Sequence, residues 1–311
     1  MSSFTEALES GAISSVAQVP KSDIHSHAGR AGSLKYLSEK LGISILPRKT
    51  PFGNLGEMQA WYDENVTVHT PGIDGRLLRY QAAFAHADID GVAVLAMSFG
   101  LADIPLLGGI DSFIRRIDAL HREYAPKTRF YPELSIARGC DTERTNGELD
   151  EVLQKNWFKS IDICNDEFAQ PIKEFKKIYK KAQGYGLKLK AHVGEVGSAE
   201  DIREAVETLE LCEVHHGISA AKSPEIMRWL AQNKIQLNIC PASNIKLGIV
   251  ESYERHPIRA IADSGVPVTI NTDDLMIFDV SVSREYMNLF QKGVFSPREL
   301  DVIRQTGINS Y

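Results

Sequence analysis

The segment KSDIHSHAGR, residues 21–30, places two histidines one residue apart. On an extended strand alternate side chains share a face, so His25 and His27 point one way and Ile24 and Ser26 the other. Two imidazoles on one face are half of a metal site, although such a pair can equally face water. Further along come other polar clusters: His192 with Gly194 and Glu195, the pair His215-His216, and Asn271 with Asp273 and Asp274. Histidines and carboxylates in one place suit a borderline divalent ion such as Zn²⁺. A metal brings the pKa of its bound water to about 7, so the chemistry indicated is metal-assisted hydrolysis.

For these clusters to meet, the elements that carry them must bring their ends together. Eight β-like runs recur along the chain: 22–27, 91–99, 129–137, 158–165, 188–195, 213–218, 235–241 and 267–274. Helical patterns lie between them. The segments 111–125 and 198–211 space their apolar residues at helical intervals, and Ser198 is placed to cap the second. Alternating strands and helices predict parallel pairing, and eight such units predict a (β/α)₈ TIM barrel occupying the chain as a single domain, 1–311. An open, doubly wound sheet is disfavoured, because HSHAGRAGS after the first strand lacks the glycine pattern of a dinucleotide turn. The stretch 28–90 is too long for a plain crossover. Its middle, 34–85, is expected to form a lid over the barrel mouth.

In such a barrel the functional groups sit at the C-terminal ends of the strands. Alternation in PVTINTDD turns Val268 and Ile270 towards the helices and Thr269, Asn271 and Asp273 inward. In KLKAHVGE, Leu189, Ala191 and Val193 take the helix side and His192 the interior. His25, His27, His192 and Asp273 therefore converge as a candidate metal set with one position left for water. For His215 and His216 alternation allows only one to point inward, and the short strand leaves the choice open.

In their order along the chain, HSH (25–27), HVGE (192–195), HHG (215–217), CPASN (240–244) and NTDD (271–274) resemble the motifs of the adenosine deaminase branch of the amidohydrolase superfamily. The resemblance runs from about residue 20 to about 280. It implies one zinc ion per chain and hydrolytic release of ammonia from an amino-substituted purine or related heterocycle. It makes Glu195 the general acid and proton shuttle, selects His216 over His215 as the group that orients the water, and lets Asp274 meet a ring nitrogen and the water. Gly194 would let the backbone bring Glu195 and the substrate close.

The sequence also departs from that pattern. Gly29 and Arg30 stand where an acidic residue helps fix a sugar, Asn165 replaces a glycine whose amide meets the purine, and Leu275 replaces a proline. These changes argue against a standard adenosine deaminase. They also make Arg30 and Asn165 candidate substrate contacts, with Arg30 either facing an anionic or oxo substituent or pairing with a lid carboxylate such as Glu57 or Asp63. Adenosine or adenine deamination proper, hydrolysis of a non-purine C–N or ester bond, and a non-catalytic binding barrel remain as alternatives.

Composition fits this reading. Charged residues make up 24% of the 311 and hydrophobic residues 43%, as in ordinary globular domains. A net charge of −6 disfavours a nucleic-acid partner, and a small molecule is expected instead. There is no apolar run long enough for a membrane span and no recognisable leader, so a cytoplasmic protein is expected, with room for a homo-oligomer. The four cysteines, Cys140, Cys164, Cys212 and Cys240, show no paired spacing and read as reduced, mostly buried thiols.

Overall fold

The computed structural model describes residues 3–311. Eight strands run β1 (Lys21–His27), β2 (Val92–Gly100), β3 (Arg129–Ala137), β4 (Ser160–Cys164), β5 (Lys188–Val193), β6 (Glu213–His216), β7 (Gln236–Ile239) and β8 (Val268–Ile270), each parallel to the next and in sequence order. A parallel bridge between Ser26 and Asp273 brings the end of the sheet back to β1. There the Asp273 N–H donates to the His25 carbonyl at 2.9 Å and the His27 N–H to the Asp273 carbonyl at 3.2 Å. The expected TIM barrel is the fold. β2 is apolar almost throughout because helices cover one of its sides and the barrel interior the other.

Both helices expected from spacing are present, at Ile110–Tyr124 and Ala199–Leu209. Ser198 caps the second in a reciprocal capping box with Asp201. The stretch after β1 differs from the expectation of one lid segment. Gly72–Ile89 is the crossover helix itself, packed on the barrel, so the excursion ends before it. The remainder carries helices Leu34–Leu41 and Leu55–Asn65. It has a small core of its own, in which Leu37, Phe52, Met58 and Tyr62 meet Met276 and Phe278 from beyond β8. That core seats the excursion on the C-terminal mouth of the barrel.

Beneath the mouth the barrel interior is charged. Lys190 on β5 lies 2.8 Å from Glu133 of β3 and 3.5 Å from Glu213 of β6, all three buried. Ion pairs taken out of water hold only when every partner is satisfied, and here Ser160 donates to Glu133 and Asn238 to Glu213. The far end is closed by helix Pro297–Ile308 and by Tyr311, whose ring stacks on Tyr131 at 4.3 Å. This layer is the floor of the site above it. Among the described residues no helix is long and apolar enough to cross a membrane.

Candidate active site

The structure brings His25, His27, His192 and Asp273 together: one potential ligand atom from each lies within 4.8 Å of the others. The other ring nitrogen of each histidine is already engaged. His25 Nδ1 meets the Asn238 carbonyl at 2.9 Å, His27 Nδ1 the Ser98 hydroxyl at 2.9 Å, and His192 Nδ1 the Asp162 carboxylate at 2.9–3.0 Å. Three Nε2 atoms are left to face one another and Asp273, with His25 and His192 at 3.0 Å and His27 at 3.2 Å from Asp273 Oδ1. Burial works against a charged His27, but Asp273 and Asp274 outweigh it and push its pKa up to about 9, so the spot favours positive charge. Burial and the surrounding rings hold His25 well below its ordinary value, in the neutral form a ligand needs. The donor set fits a zinc-like cation.

His215 and His216 overturn the rule that only one neighbour can face inward. His215 obeys strand alternation: its ring stacks on His25 at 4.0 Å and meets Glu133 at 3.1 Å, where it forms part of the floor. At His216 the backbone turns left-handed (φ 64°), which ends the strand and swings this ring inward as well. Its Nε2 lies 3.9 Å from Asp273 Oδ2 and its Nδ1 3.4 Å from Glu195 Oε1. Asp273 is reached in the same way, with φ 60°, because β8 has already ended at Ile270. Asn165, with φ 76°, is the third such residue at this rim. Strained backbone gathers where the strands deliver their side chains.

A cavity of about 1000 Å³ opens above this cluster, lined among others by Glu195, His216, Asp274, Arg30 and Asn165. Glu195 accepts from Asn244 at 2.8 Å; burial, Asp273 and Glu167 push its carboxyl well above the usual range, which favours the protonated acid. Asp274 Oδ2 accepts from Arg30 at 2.9 Å, while its buried Oδ1 has no hydrogen-bond partner among the described residues. Arg30 therefore does not pair with Glu57, which is held by Arg48, or with Asp63, which accepts from Gln59; its other contacts are the Gln59 side chain and the face of Tyr62 at 4.9 Å. Gly194 is not among the lining residues. Its N–H is spent on Glu167 at 2.7 Å, it has φ 73°, and an added Cβ would come within 2.5 Å of Ile202. It shapes the turn that carries Glu195 and does not touch the cavity.

Several residues of the site escaped the sequence reading. Asp162 and Glu167 lie in the strand 4 segment, where Asp162 orients His192 and Glu167 accepts the N–H groups of Gly194, Glu195 and Val196 at 2.7–2.9 Å. From CPASN, Ser243 donates to Asp273 at 2.7 Å and Asn244 to Glu195. Behind them stands His256. The Ile258 N–H donates to its Nδ1 at 3.1 Å, so its Nε2 carries the proton towards Asn244 Oδ1 at 3.1 Å. Inward parity on β4 was a signal that could have found Asp162; nothing local distinguishes His256. Burial pushes the thiol of Cys164 up to about 12 and that of Cys240 well above its ordinary value, but only Cys240 is fully buried; Cys140 and Cys164 are half-buried and Cys212 is exposed, contrary to the expectation of mostly buried thiols.

Residues 96–311 match the adenosine deaminase family model. The chain belongs to the adenosine deaminase family. A putative adenosine/adenine deaminase of Treponema pallidum is 31% identical over 280 residues, 89% of this chain and 93% of that one. An adenosine deaminase of Shewanella loihica is 31% identical over 206 residues, 66% of this chain and 62% of that one. Among solved structures, an adenine deaminase from Arthrobacter aurescens superposes with a TM-score of 0.80 at 21% identity, covering 94% of this chain and 93% of the other. A zinc-bound amidohydrolase from Burkholderia ambifaria gives 0.79 at 20% identity, covering 100% and 88%. These two likenesses bear on the fold. Membership of the adenosine deaminase family makes the chain a hydrolytic deaminase acting on C–N bonds, in a group of metal-dependent enzymes.

Proposed function

We propose that this protein is a zinc-dependent hydrolytic deaminase of an amino-substituted purine or related heterocycle, and not a standard adenosine deaminase. The observation that carries the reading is the meeting of four ligand atoms within 4.8 Å beneath a cavity whose wall holds a protonation-prone Glu195 and an Asp274 with one unpaired oxygen. His25, His27, His192 and Asp273 would hold the ion. Zinc bound there supplies Lewis acidity that makes water nucleophilic near neutral pH.

The chain's own groups divide the remaining work. Glu195 Oε1 is positioned by Asn244, and its proton is available to a ring nitrogen beside the carbon that loses the amine. His216, next to both Glu195 and Asp273, stabilises charge developing over the attacked carbon. Asp274 Oδ1 takes or gives a hydrogen bond at the opposite ring edge, and the Arg30 pair holds the carboxylate in that orientation. The segment 28–71 covers the mouth and acts as a lid.

Adenosine or adenine itself is the second reading, favoured by the kinship with the Treponema protein. Gly29-Arg30 and Asn165 weigh against it. Ammonia release across a panel of aminated purines and other heterocycles tests both readings: efficient adenosine turnover supports the second, and no ammonia from any member overturns the deaminase reading.

A further inference from the structure

Beyond the Arg30–Asp274 pair, the cavity wall holds a second buried guanidinium. Arg79, on the crossover helix, lines the same cavity yet is only 3% exposed. Among the described residues its one hydrogen bond is to the Thr70 hydroxyl at 2.8 Å, its buried Nε has no partner, and no carboxylate lies within ion-pair distance. Arg76, one turn earlier, faces Asp103 at 3.4 Å, but Asp103 already accepts from Tyr80 at 2.6 Å. Of the other carboxylates that line the cavity, Asp63 is exposed and held by Gln59, and Asp141, Glu148 and Glu151 are exposed as well, with Glu148 paired to Arg144. Tyr62 joins the two halves: the Arg30 guanidinium lies 4.9 Å and the Arg79 guanidinium 5.9 Å from its ring. A buried guanidinium without a counter-charge costs stability unless an anion arrives to meet it.

We propose that Arg79, with Arg76 beside it, is an anion subsite of this cavity, and that the substrate is an amino-heterocycle carrying a carboxylate or phosphate group. The proposal rests on the deaminase reading of the same cavity. The heterocycle sits over the histidine cluster with its ring edge at Asp274, and the appended anion extends past Tyr62 to the outer arginines. Gly29 keeps that passage open, because a Cβ there would stand 3.2 Å from Arg76 Nη1.

Binding of deaminated, unreactive analogues separates the subsite from the chemistry. Calorimetry would compare inosine monophosphate with inosine, and carboxymethylhypoxanthine with methylhypoxanthine, on the zinc-loaded protein. One anionic member should bind at least about tenfold tighter than its neutral partner, as charge-assisted contacts allow, and the arm that shows the gain names phosphate or carboxylate. In Arg79→Gln that preference should be lost. Equal affinities in both arms, or a preference that survives in folded Arg79→Gln, overturn the proposal; if that variant does not fold, Arg76→Gln and the wild-type comparison decide. Anion preference with no ammonia release from any member of the aminated panel would overturn the deaminase reading and leave the subsite standing.

Discussion

Arg30 and Asp274, 244 residues apart in sequence, are joined at 2.9 Å in the wall of the cavity, and the pairing leaves Asp274 with one free buried oxygen. Burial raises the Asp274 pKa, and Arg30 is the strongest influence opposing that rise. Replacing Arg30 with Gln should therefore let the carboxylate protonate at higher pH. The expected result is a kcat/KM at least about tenfold lower near neutral pH, with its acid limb shifted upward. An unchanged pH profile would show that Arg30 does not govern Asp274.

Metal content is the most direct check on the histidine cluster. The purified protein should hold about one zinc per chain, and His192→Ala should lose both metal and activity. Asp162→Asn should weaken metal affinity by about 10–100-fold while leaving the ligands in place, because Asp162 fixes the tautomer and direction of His192. Elemental analysis and chelator competition read both. Full activity of a metal-stripped sample would overturn the zinc assignment.

Glu195→Gln separates proton transfer from metal binding. The variant should retain zinc, since Glu195 is outside the ligand set, and lose at least about 10²-fold in kcat. Loss of the metal instead would show that Glu195 holds the ion.

His256 predicts acid sensitivity. Burial lowers its pKa to about 3, below the ordinary histidine value of 6.5, so the folded state binds this proton less readily than the unfolded chain. Its contribution is complete above about 6.5 and is lost as pH falls towards 3; by pH 5.5 the loss is roughly 1 kcal/mol. The melting temperature of His256→Gln should fall less than that of the wild type between pH 7.5 and 5.5, about one unit either side of that ordinary value. Parallel curves would exclude His256 as the titrating group.

The sequence by itself determined the barrel and, among the residues that meet at its mouth, His25, His27, His192, Glu195, His216, Asp273 and Asp274. Alternation within β5 sends His192 inward whatever surrounds it, and the eight strand-like runs in order leave little choice of topology. Alternation fails where a strand ends. His216 and Asp273 face the cluster through left-handed backbone turns, a conformation that the order of residue types does not announce. Partnerships between distant segments were equally hidden: Arg30 with Asp274, Asp162 with His192, and His256 reaching Glu195 through Asn244. The unpaired guanidinium of Arg79 also became visible only when its neighbours had been placed, because whether a buried charge is paired depends on which distant residues fold against it and not on any stretch of chain.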